Sequence, residues 1–251
     1  MKQQYQIVKK KVLTPEISQI SVHAPLVAAK AKAGQFIILR VDENGERIPL
    51  TIADFDRDAG TVTITVIFQK VGGTTLALDQ LNEGDCLHDF VGPLGEATHV
   101  EDLGRVAVLG GGLGCAIAWP QAKAIHEAGG TVHMIAGFRT KEIVMLENEM
   151  RASCDELFMM TDDGTYGRAG FCTPLVEEAL AAAAAEGAPY DYVACCGPEP
   201  LMKIVAGMAD AAGVFCEVSM ERRMACGVGA CLSCVVDTTA GKRRACVDGP
   251  V

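Results

Sequence analysis

The sequence predicts an antiparallel β-barrel, then a doubly wound α/β domain, and then a small cysteine-rich region. Three observations lead to this prediction. The first hundred residues contain short segments rich in Val, Ile, Thr and Phe, strand and helix patterns alternate from Arg105 onward, and four cysteines cluster after Ser219. We place the domain boundaries at residues 1–102, 103–218 and 219–251.

Composition limits the classes of protein that the chain can belong to. It has 251 residues, of which 49% are hydrophobic and 22% charged, and its net charge is −10. Such a chain is long enough for one or two hydrophobic cores. Its negative charge argues against a surface for nucleic acid or anionic membrane. The N-terminal segment lacks the apolar centre of a signal peptide, and no stretch has 18 apolar residues in a row, so we expect a cytoplasmic protein without membrane segments.

The barrel prediction depends on strands that follow one another at short intervals. Several of them alternate in polarity, and turn residues separate them, which is typical of small antiparallel barrels. One short helix around Thr75 to Leu81 interrupts the series. The predicted strands are YQIVKKKVL, ISQISVHA, GQFIILRVD, IPLTIADFD, TVTITVIFQ and DCLHDFVG.

From Arg105 the pattern changes to alternating strands and helices. The predicted strands are RVAVLGG, TVHMIAGF, ELFMMTDD, YDYVACCG and VFCEVS, and the predicted helices are residues 116–128, KEIVMLENEM, PLVEEALAAAAAEG and PEPLMKIVAGMADAAG. This alternation requires a parallel sheet with helices on both faces.

A glycine-rich turn joins the first strand and first helix of the α/β domain. Glycines permit a tight turn and let a phosphate approach backbone N–H groups, and the helix N-terminus adds positive charge. Close packing of the turn is an alternative reason for the same glycines. Arg139, and no acidic residue, follows the second strand, so the choice between NAD and NADP stays open. The candidate phosphate-binding residues are Gly110, Gly111, Gly112 and Gly114.

Two further turns follow predicted strands of this domain, where ligands of such sheets bind. In CCGPEPLM, Cys196 would place a small polarizable side chain beside a bound ring, and we expect it to be catalytic. The alternative for CCGPEPLM is a buried cysteine followed by a proline that begins the helix. The alternative for TDDGTYG is a turn that simply faces water. The candidate residues are Cys196, Gly197, Pro198, Thr161, Asp162, Asp163 and Gly164.

The barrel offers a third set of candidates. Arginine can neutralise a pyrophosphate, and a Gly-Thr helix start can donate backbone and hydroxyl hydrogen bonds to it. Each feature is unremarkable alone, and their order along the chain is what indicates a nucleotide site. The candidate residues are Arg47, Pro49, Leu50, Thr51, Ile67, Phe68, Gln69, Gly73, Thr74 and Thr75.

A barrel with R-x-P-x-T, a Gly-Thr helix start, and an α/β domain with GGGLG and CGPEPLM resembles the ferredoxin–NADP reductase superfamily. The resemblance covers nearly the whole chain, and it implies FAD on the barrel and NAD(H) or NADP(H) on the α/β domain. With the cysteines it narrows to the iron–sulfur electron-transfer subunits of dihydroorotate dehydrogenase B. The small subunits of sulfide dehydrogenase and of NADH-dependent ferredoxin:NADP oxidoreductase are equally similar.

Different stretches favour each of these two groups. GERIPLTIADFD, DFVGPLGE and ACVDGPV resemble the sulfide dehydrogenase and transhydrogenase type, whereas SMERRMACGVGACLSCVV resembles the dihydroorotate dehydrogenase type. The transhydrogenase small subunit usually has an aspartate at the position of Cys226. RIPLT in turn departs from the RPxS-like pattern of the dihydroorotate type. The partner subunit is therefore open, and the redox unit is the same in both.

Four cysteines are candidate metal ligands. A disulfide is disfavoured in a reducing compartment, and zinc is chemically possible because four thiolates complete a tetrahedral site. The spacing C-x4-C-x2-C with a remote fourth cysteine is instead typical of a [2Fe–2S] cluster. Nearby basic residues from Arg222 to Arg244 could offset the thiolate charge or simply face water. The candidate ligands are Cys226, Cys231, Cys234 and Cys246.

The expected function follows from the electron counts of the implied cofactors. Nicotinamides exchange two electrons, an iron–sulfur cluster exchanges one, and a flavin does both. We expect an NAD(P)H-dependent FAD/[2Fe–2S] oxidoreductase subunit that serves a larger catalytic subunit with its own flavin or iron–sulfur groups. The transhydrogenase or sulfide dehydrogenase type is our first expectation for the whole complex, with electron bifurcation as an open possibility. Dihydroorotate dehydrogenase B is the second. A self-sufficient reductase for an oxygenase and a zinc-containing nucleotide-binding regulator are the alternatives from other classes.

Overall fold

The computed structural model describes residues 5–58 and 61–250. It divides into two compact units: unit 1 combines residues 1–98 with 220–251, and unit 2 comprises residues 99–219. The expected division into three domains stays a prediction, and in this structure the cysteine-rich region belongs to the same unit as the barrel. Residues 1–4, where the segment considered for a signal peptide begins, lie outside the described residues.

Unit 1 contains a seven-stranded antiparallel sheet. Its strands are β1 (Tyr5–Thr14), β2 (Ile17–His23), β3 (Phe36–Arg40), β4 (Ile48–Asp56), β5 (Thr63–Gln69), β6 (Cys86–Leu87) and β7 (Asp89–Leu94). The order across the sheet is β6-β1-β2-β5-β4-β3-β7. Since β6 and β7 are consecutive in the chain yet occupy opposite edges, the sheet curls until its edges meet at His88. The segment DCLHDFVG, expected as one strand, is therefore two strands, because β6 pairs with β1 and β7 with β3.

The barrel encloses an apolar core of residues that alternate along the strands, including Ile20, Ile37, Ile64 and Phe68. Two short helices complete it: α1 (Pro25–Ala28) and α2 (Gly73–Gln80). The latter lies close to the helix expected around Thr75 to Leu81.

A small network of charges fastens α2 to the barrel. Asp79 accepts a hydrogen bond from the Ser18 hydroxyl (2.6 Å) and forms ion pairs with Lys10 (3.8 Å) and Lys70 (3.4 Å). Lys10 also donates to the carbonyl of Leu81 at the end of the helix (2.9 Å). Because these side chains are mostly buried, the network stabilises the position of α2 more than an exposed ion pair would.

The C-terminal region packs against strands β3 and β7 of the barrel. Phe36 and Ile38 share a small apolar cluster with Met224, Cys234, Ala245 and Cys246, and Leu94 packs against it. The main chain joins as well, because the Glu96 N–H donates to the carbonyl of Gly249 (2.7 Å). The region also contains a hairpin that the sequence analysis did not predict, formed by β14 (Val235–Thr238) and β15 (Gly241–Arg244).

Unit 2 is a six-stranded parallel sheet with helices. The strands are β8 (Arg105–Gly111), β9 (Thr131–Phe138), β10 (Glu156–Thr161), β11 (Arg168–Ala169), β12 (Tyr192–Cys196) and β13 (Phe215–Val218). The helices are α3 (Gly114–Glu127), α4 (Glu147–Arg151), α5 (Cys172–Ala185) and α6 (Glu199–Ala212). The sheet order β11-β10-β9-β8-β12-β13 confirms the doubly wound prediction, and its direction reverses between β8 and β12.

The helix predicted over KEIVMLENEM is wrong in extent. The structure has a 3-10 turn at Lys141–Ile143 and then α4, which begins only at Glu147. Between them Met145 and Leu146 are buried, and Leu146 has a left-handed backbone with φ of +58°. The apolar residues therefore enter the core through an irregular segment, which overrides the helical pattern.

Among residues 5–58 and 61–250, no helix combines the length and apolarity needed to span a membrane.

Candidate functional site

The four candidate metal ligands come together in the C-terminal region as two pairs. Cys226 interacts with Cys231, and Cys234 interacts with Cys246. Cys246 also lies close enough to Cys226 for its charge to be felt. No described group of three or more His, Cys, Asp or Glu side chains surrounds a single ion position. A [2Fe–2S] cluster needs no such group, because its four cysteines are divided between two irons.

The two pairs differ in exposure. Cys234 and Cys246 are each only 2% exposed and pack against the barrel, whereas Cys231 is exposed and Cys226 half-buried. We call Cys226 and Cys231 the outer pair and Cys234 and Cys246 the inner pair. Any group that these thiols hold would therefore have one side toward the barrel and one side toward solvent.

Backbone N–H groups point at the sulfur atoms, as expected around an iron–sulfur cluster. The Cys226 Sγ accepts from the N–H of Val228 and of Cys231 (both 3.4 Å), and the Cys246 Sγ accepts from the N–H of Gly229 (3.2 Å). Such hydrogen bonds stabilise negative charge on sulfur and tune cluster potentials. The small residues between Cys226 and Cys231 make this possible, since Gly227 and Gly229 have positive φ angles of 72° and 77°.

The surroundings of Cys231 and Cys246 shift the pKa values of these two thiols in opposite directions. The Ser233 side chain, 3.3 Å from the Cys231 Sγ, is the main group that lowers the pKa of Cys231, to about 6. Burial raises the pKa of Cys246 to about 11. Ser233 was not among the predicted site residues, although its position inside CLSC next to a ligand is a signal that could have found it.

The barrel candidates meet at one end of the sheet. Strands β4 and β5 are neighbours, with Ile52 opposite Val66. Because they run antiparallel, the residues before Ile52 lie alongside the residues after Val66, and the turn into α2 follows directly. The structure thus brings the Arg47–Thr51 segment, the Ile67–Gln69 segment and the start of α2 to the same end of unit 1.

Strand periodicity separates these candidates into an inner and an outer set. Leu50 packs against the barrel core and Phe68 is part of it, so their side chains are used for packing. Pro49 and Thr51 are two residues apart and therefore share the opposite face of β4, whereas Arg47 lies just before the strand begins at Ile48.

Two polar candidates in the barrel already have partners. The Gln69 amide donates to the Glu16 carboxylate (3.2 Å), and the exposed Arg47 donates from Nε to the carbonyl of Ala225 (3.3 Å). Ala225 directly precedes the ligand candidate Cys226. Arg47 therefore connects the barrel candidates with the cysteine loop.

The start of α2 has space for a ligand. A Cβ added to Gly72 or Gly73 would meet no atom within 4 Å, and neither residue has a positive φ. Neither packing nor backbone conformation thus requires glycine here. The Thr75 hydroxyl accepts from the N–H groups of Val71 (3.1 Å) and Gly72 (3.0 Å) and so fixes the turn. A helix N-terminus without side chains at its entry fits a phosphate group.

In unit 2 the glycine turn after β8 lies at the point where the strand order reverses. Two of its glycines are required by packing, because a Cβ on Gly110 would collide with the main chain of Cys115 and a Cβ on Gly114 with the main chain of Cys196, while a Cβ on Gly111 would lie 2.7 Å from the end of the flexible Leu201 side chain. Gly112 differs, because it has a φ of +57° and open space where a Cβ would be. Of the four candidates, only Gly112 is left open toward a ligand.

The turn after β12 packs directly against this glycine turn. An added Cβ on Gly197 would come 3.2 Å from the Cα of Gly111, and Pro198 begins the approach to α6. Cys196 is 2% exposed. Its charge contributes, after burial itself, to the raised pKa of Cys115. The two thiols are therefore neighbours, and a contact of Cys196 with a bound ring stays a prediction.

The TDDGTYG loop is organised by its own first residue. Thr161 is fully buried, and its hydroxyl donates to the Tyr166 carbonyl (2.8 Å) and accepts from the Tyr166 N–H (3.0 Å). The Asp163 carboxylate accepts from the Thr165 N–H and hydroxyl, which lowers the Asp163 pKa. Asp162, Asp163 and Gly164 are exposed. The structure thus gives Thr161 a structural role in the loop and leaves the other three accessible.

The C-terminal region matches a known family. The family model described as the iron–sulfur cluster binding domain of dihydroorotate dehydrogenase B matches residues 221–251, which include all four candidate ligands.

Curated relatives match along nearly the whole chain. A dihydroorotate dehydrogenase B (NAD(+)) electron transfer subunit homolog from Thermotoga maritima is 36% identical over 98% of this chain and 84% of its own length. The dihydroorotate dehydrogenase B (NAD(+)) electron transfer subunit from Geobacillus thermodenitrificans is 32% identical over 98% of this chain and 94% of its own length.

Solved structures agree with these matches. A chain of the NADH-dependent reduced ferredoxin-NADP oxidoreductase, a structure that concerns flavin-based electron bifurcation, has a TM-score of 0.90 and 34% identity, covering 100% of this chain and 88% of that chain. Phthalate dioxygenase reductase, described as a modular structure for electron transfer from pyridine nucleotides to [2Fe-2S], has a TM-score of 0.67 and 18% identity, covering 88% of this chain and 69% of that chain, which shows the fold alone.

These matches confirm the expected fold and the expected kind of protein, an oxidoreductase subunit that transfers electrons. The expected iron–sulfur cofactor agrees with the family model. This chain belongs to the family of dihydroorotate dehydrogenase B electron transfer subunits.

Proposed function

We propose that this chain is the electron-transfer subunit of a heteromeric NAD(P)H-linked oxidoreductase. It holds FAD at the end of the barrel where β4, β5 and α2 meet, a nicotinamide nucleotide at the strand-order reversal of unit 2, and a [2Fe–2S] cluster on Cys226, Cys231, Cys234 and Cys246. When bound, FAD exchanges two electrons with the nicotinamide and one at a time with the cluster. The electrons then go to a catalytic partner subunit.

The observation that carries this proposal is the arrangement of the four thiols. They form two interacting pairs at the C-x4-C-x2-C spacing with a remote fourth cysteine, and main-chain N–H groups point at Cys226 and Cys246. Zinc sites usually present two short cysteine hooks set apart, whereas this chain has one short hook, Cys231 and Cys234, with an extra cysteine five residues before it. The paired arrangement supports two irons.

For FAD, the residues on the open side of unit 1 have separable tasks. The N–H groups at the start of α2 bind the pyrophosphate, which can approach because Gly72 and Gly73 lack side chains. The Arg47 guanidinium adds positive charge and retains its bond to Ala225. Pro49 and Thr51 provide an apolar and a hydroxyl contact on the same face.

For the nicotinamide nucleotide, unit 2 offers the turn around Gly112 and the start of α3 to the phosphates. The packing of Gly111 against Gly197 fixes the β8 and β12 turns relative to one another. Exposed groups of the Asp162–Gly164 loop supply polar contacts beside them.

For the partner, we place the transhydrogenase or sulfide dehydrogenase type first. The stretches that resemble this type cover more of the chain. The match to the NADH-dependent reduced ferredoxin-NADP oxidoreductase covers 100% of this chain and 88% of that chain. The second candidate is the electron-transfer subunit of NAD-dependent dihydroorotate dehydrogenase B. The names of the curated relatives and the SMERRMACGVGACLSCVV segment favour it.

The cofactor assignment is tested by Cys231→Ser in the purified holoprotein. We expect the visible iron–sulfur bands to disappear, because the cluster is no longer held once one of its four thiolate ligands is lost. We expect FAD to stay bound, because the barrel site is untouched. Cys86→Ser is the matched control, since Cys86 is also an exposed cysteine of unit 1 but lies on β6. If Cys231→Ser keeps both flavin and iron–sulfur absorbance, the ligand assignment is wrong.

The partner assignment is tested on the complex purified from native cells. The transhydrogenase type predicts a large subunit with its own iron–sulfur groups and reduction of NADP by reduced ferredoxin and NADH. The dihydroorotate type predicts a flavoprotein that produces orotate from dihydroorotate. Absence of flavin and inorganic sulfide from the purified chain would contradict both.

A further inference from the structure

One side chain that is not a cysteine contacts the sulfur atoms of the C-terminal region. Apart from contacts between the cysteines themselves, the hydrogen bonds to the four candidate sulfurs within residues 5–58 and 61–250 come from main-chain N–H groups and from the Ser233 hydroxyl. The Ser233 Oγ lies 3.3 Å from the Cys231 Sγ. A main-chain donor is present whatever side chain a residue carries, so Ser233 is the donor that a substitution can remove.

The turn between Cys231 and Ser233 brings the hydroxyl back to the sulfur. Leu232 has a φ of +60°, in the left-handed region, where a bulky residue other than glycine is uncommon. Its side chain is 61% exposed, so packing inside the chain does not hold it in this conformation. The Val235 N–H donates to the Leu232 carbonyl (3.3 Å) and closes the turn. Unfavourable conformations of this kind cluster at functional sites, and this one places Ser233 beside a candidate ligand.

The Ser233 hydroxyl has two acceptors within reach. Its oxygen lies 3.5 Å from the Arg223 carbonyl oxygen, which is long for a hydrogen bond between two oxygens, and 3.3 Å from the larger Cys231 sulfur. A free thiol can donate in such a pair, but a thiolate that binds a metal has no proton and only accepts. Hydrogen bonds to charged acceptors are also the stronger ones. With the cluster bound, the Ser233 hydroxyl therefore donates to the Cys231 sulfur.

A donor to a ligand sulfur favours the reduced form of a cluster. On reduction one electron, supplied by FAD, enters the cluster, no bond is broken, and the hydroxyl keeps its proton. Part of the added negative charge resides on the sulfur ligands, so the hydrogen bond becomes stronger and the reduction potential rises. Because Ser233 is exposed, water can replace part of a lost hydroxyl, and the effect is smaller than a whole hydrogen bond.

We propose that Ser233 is a positioning residue for electron transfer: its hydroxyl donates to the Cys231 ligand and raises the reduction potential of the cluster. This inference rests on the proposed function and adds the side chain that draws the electron from FAD toward the cluster. The left-handed turn at Leu232 holds the hydroxyl at the sulfur of the outer pair.

The test uses Ser233→Ala in the purified holoprotein, with a redox titration followed by the electron paramagnetic resonance signal of the reduced cluster. We expect the iron–sulfur absorbance to persist. The equilibrium constant for one-electron reduction of the cluster should fall roughly three- to tenfold, which lowers its potential by about 28–59 mV. The FAD potential, read by absorbance in the same titration, should stay at the wild-type value, because the proposed FAD site lies on the barrel.

Two further variants separate the hydroxyl from the volume of the side chain. Threonine and valine have nearly the same shape, so Ser233→Thr should keep most of the wild-type potential while Ser233→Val should behave like Ser233→Ala. Thr238→Val is the matched control for a lost hydroxyl in the same region. The Thr238 hydroxyl donates to the Gly241 carbonyl (2.6 Å) within the hairpin, and its removal should leave the cluster potential unchanged.

The outcomes separate this inference from the proposed function. If the wild-type chain shows no signal of a reduced [2Fe–2S] cluster, the proposed function fails. If the signal is present but Ser233→Ala and Ser233→Val keep the wild-type potential, the role of Ser233 is wrong and the proposed function stands. Loss of the cluster from both variants would show that the hydroxyl builds the site rather than tunes it. A potential lowered equally in Ser233→Thr and Ser233→Val would assign the effect to volume, and either result overturns the proposal.

Discussion

The start of α2 offers a test in which stability and cofactor binding move in opposite directions. Gly73 is the first residue of the helix, its φ is not positive, and an added Cβ would meet no atom within 4 Å. Alanine is therefore accommodated by the protein itself. Replacing glycine by alanine at such a position stabilises a protein by about 0.4–1 kcal/mol, chiefly because the unfolded chain loses conformational freedom.

FAD binding should respond in the other direction. The new methyl group would occupy the space through which we propose that the pyrophosphate approaches the helix N-terminus. Forcing one extra methyl group into a filled site costs about 1–3 kcal/mol, so the FAD dissociation constant of Gly73→Ala should rise roughly 5- to 150-fold. We would measure unfolding of the apoprotein by urea, and FAD binding by quenching of flavin fluorescence.

Gly207→Ala is the matched control. Gly207 lies inside α6 of unit 2, where an added Cβ also meets no atom within 4 Å, and alanine there should stabilise the helix by up to about 1 kcal/mol. Its FAD affinity should equal that of the wild type. The assignment of α2 is refuted if Gly73→Ala binds FAD normally. If Gly207→Ala loses FAD as well, the effect is not local to α2.

Two further substitutions test other parts of the structure. Asp79→Asn should lower the free energy of unfolding of unit 1 by about 1–3 kcal/mol and weaken FAD binding, because α2 loses its ion pairs with Lys10 and Lys70. Burial alone would raise the Asp79 pKa, but Ser18 and the two lysines outweigh it and lower the pKa below 3.8. The Asp79 interactions thus stabilise unit 1 at pH values above 3.8, and this stabilisation is lost as the pH falls through the lower pKa of the folded state. In urea titrations at decreasing pH, Asp79→Asn should lack this loss of stability. Gly114→Ala should destabilise unit 2 by about 2 kcal/mol or more, because its Cβ would collide with the main chain of Cys196, which cannot move aside. If thermal unfolding shows that unit 2 of Gly114→Ala is as stable as unit 2 of the wild type, this packing is contradicted.

The regular part of the fold could be predicted because its patterns are local. Continuous apolar strands followed by glycine turns identified the parallel sheet, and its doubly wound order is observed. The segment from Lys141 to Met150 could not be predicted, because burial of Met145 and Leu146 decides its path and this depends on residues distant in sequence. The division of DCLHDFVG at His88 likewise depends on which strand each half pairs with.

The candidate sites show the same limit. Spacing alone pointed to Cys226, Cys231, Cys234 and Cys246, but only the structure distinguishes an outer from an inner pair. The sequence also cannot tell a glycine that makes room for a ligand from one that makes room for the protein. Gly73 and Gly112 face open space, whereas Gly111 and Gly114 meet other parts of the chain.

The division of unit 1 into two separate stretches of sequence has a consequence for biosynthesis. Residues 99–219 leave the ribosome between the barrel and the segment that packs on it, so a nascent barrel has the apolar side chains of Phe36 and Ile38 uncovered for that interval. Unit 2 can already fold during this time, since domains generally fold as units in the order of their synthesis. Cys246 emerges last of the four cysteines, and assembly of a four-thiolate centre would therefore be a late event, completed only after translation of both units.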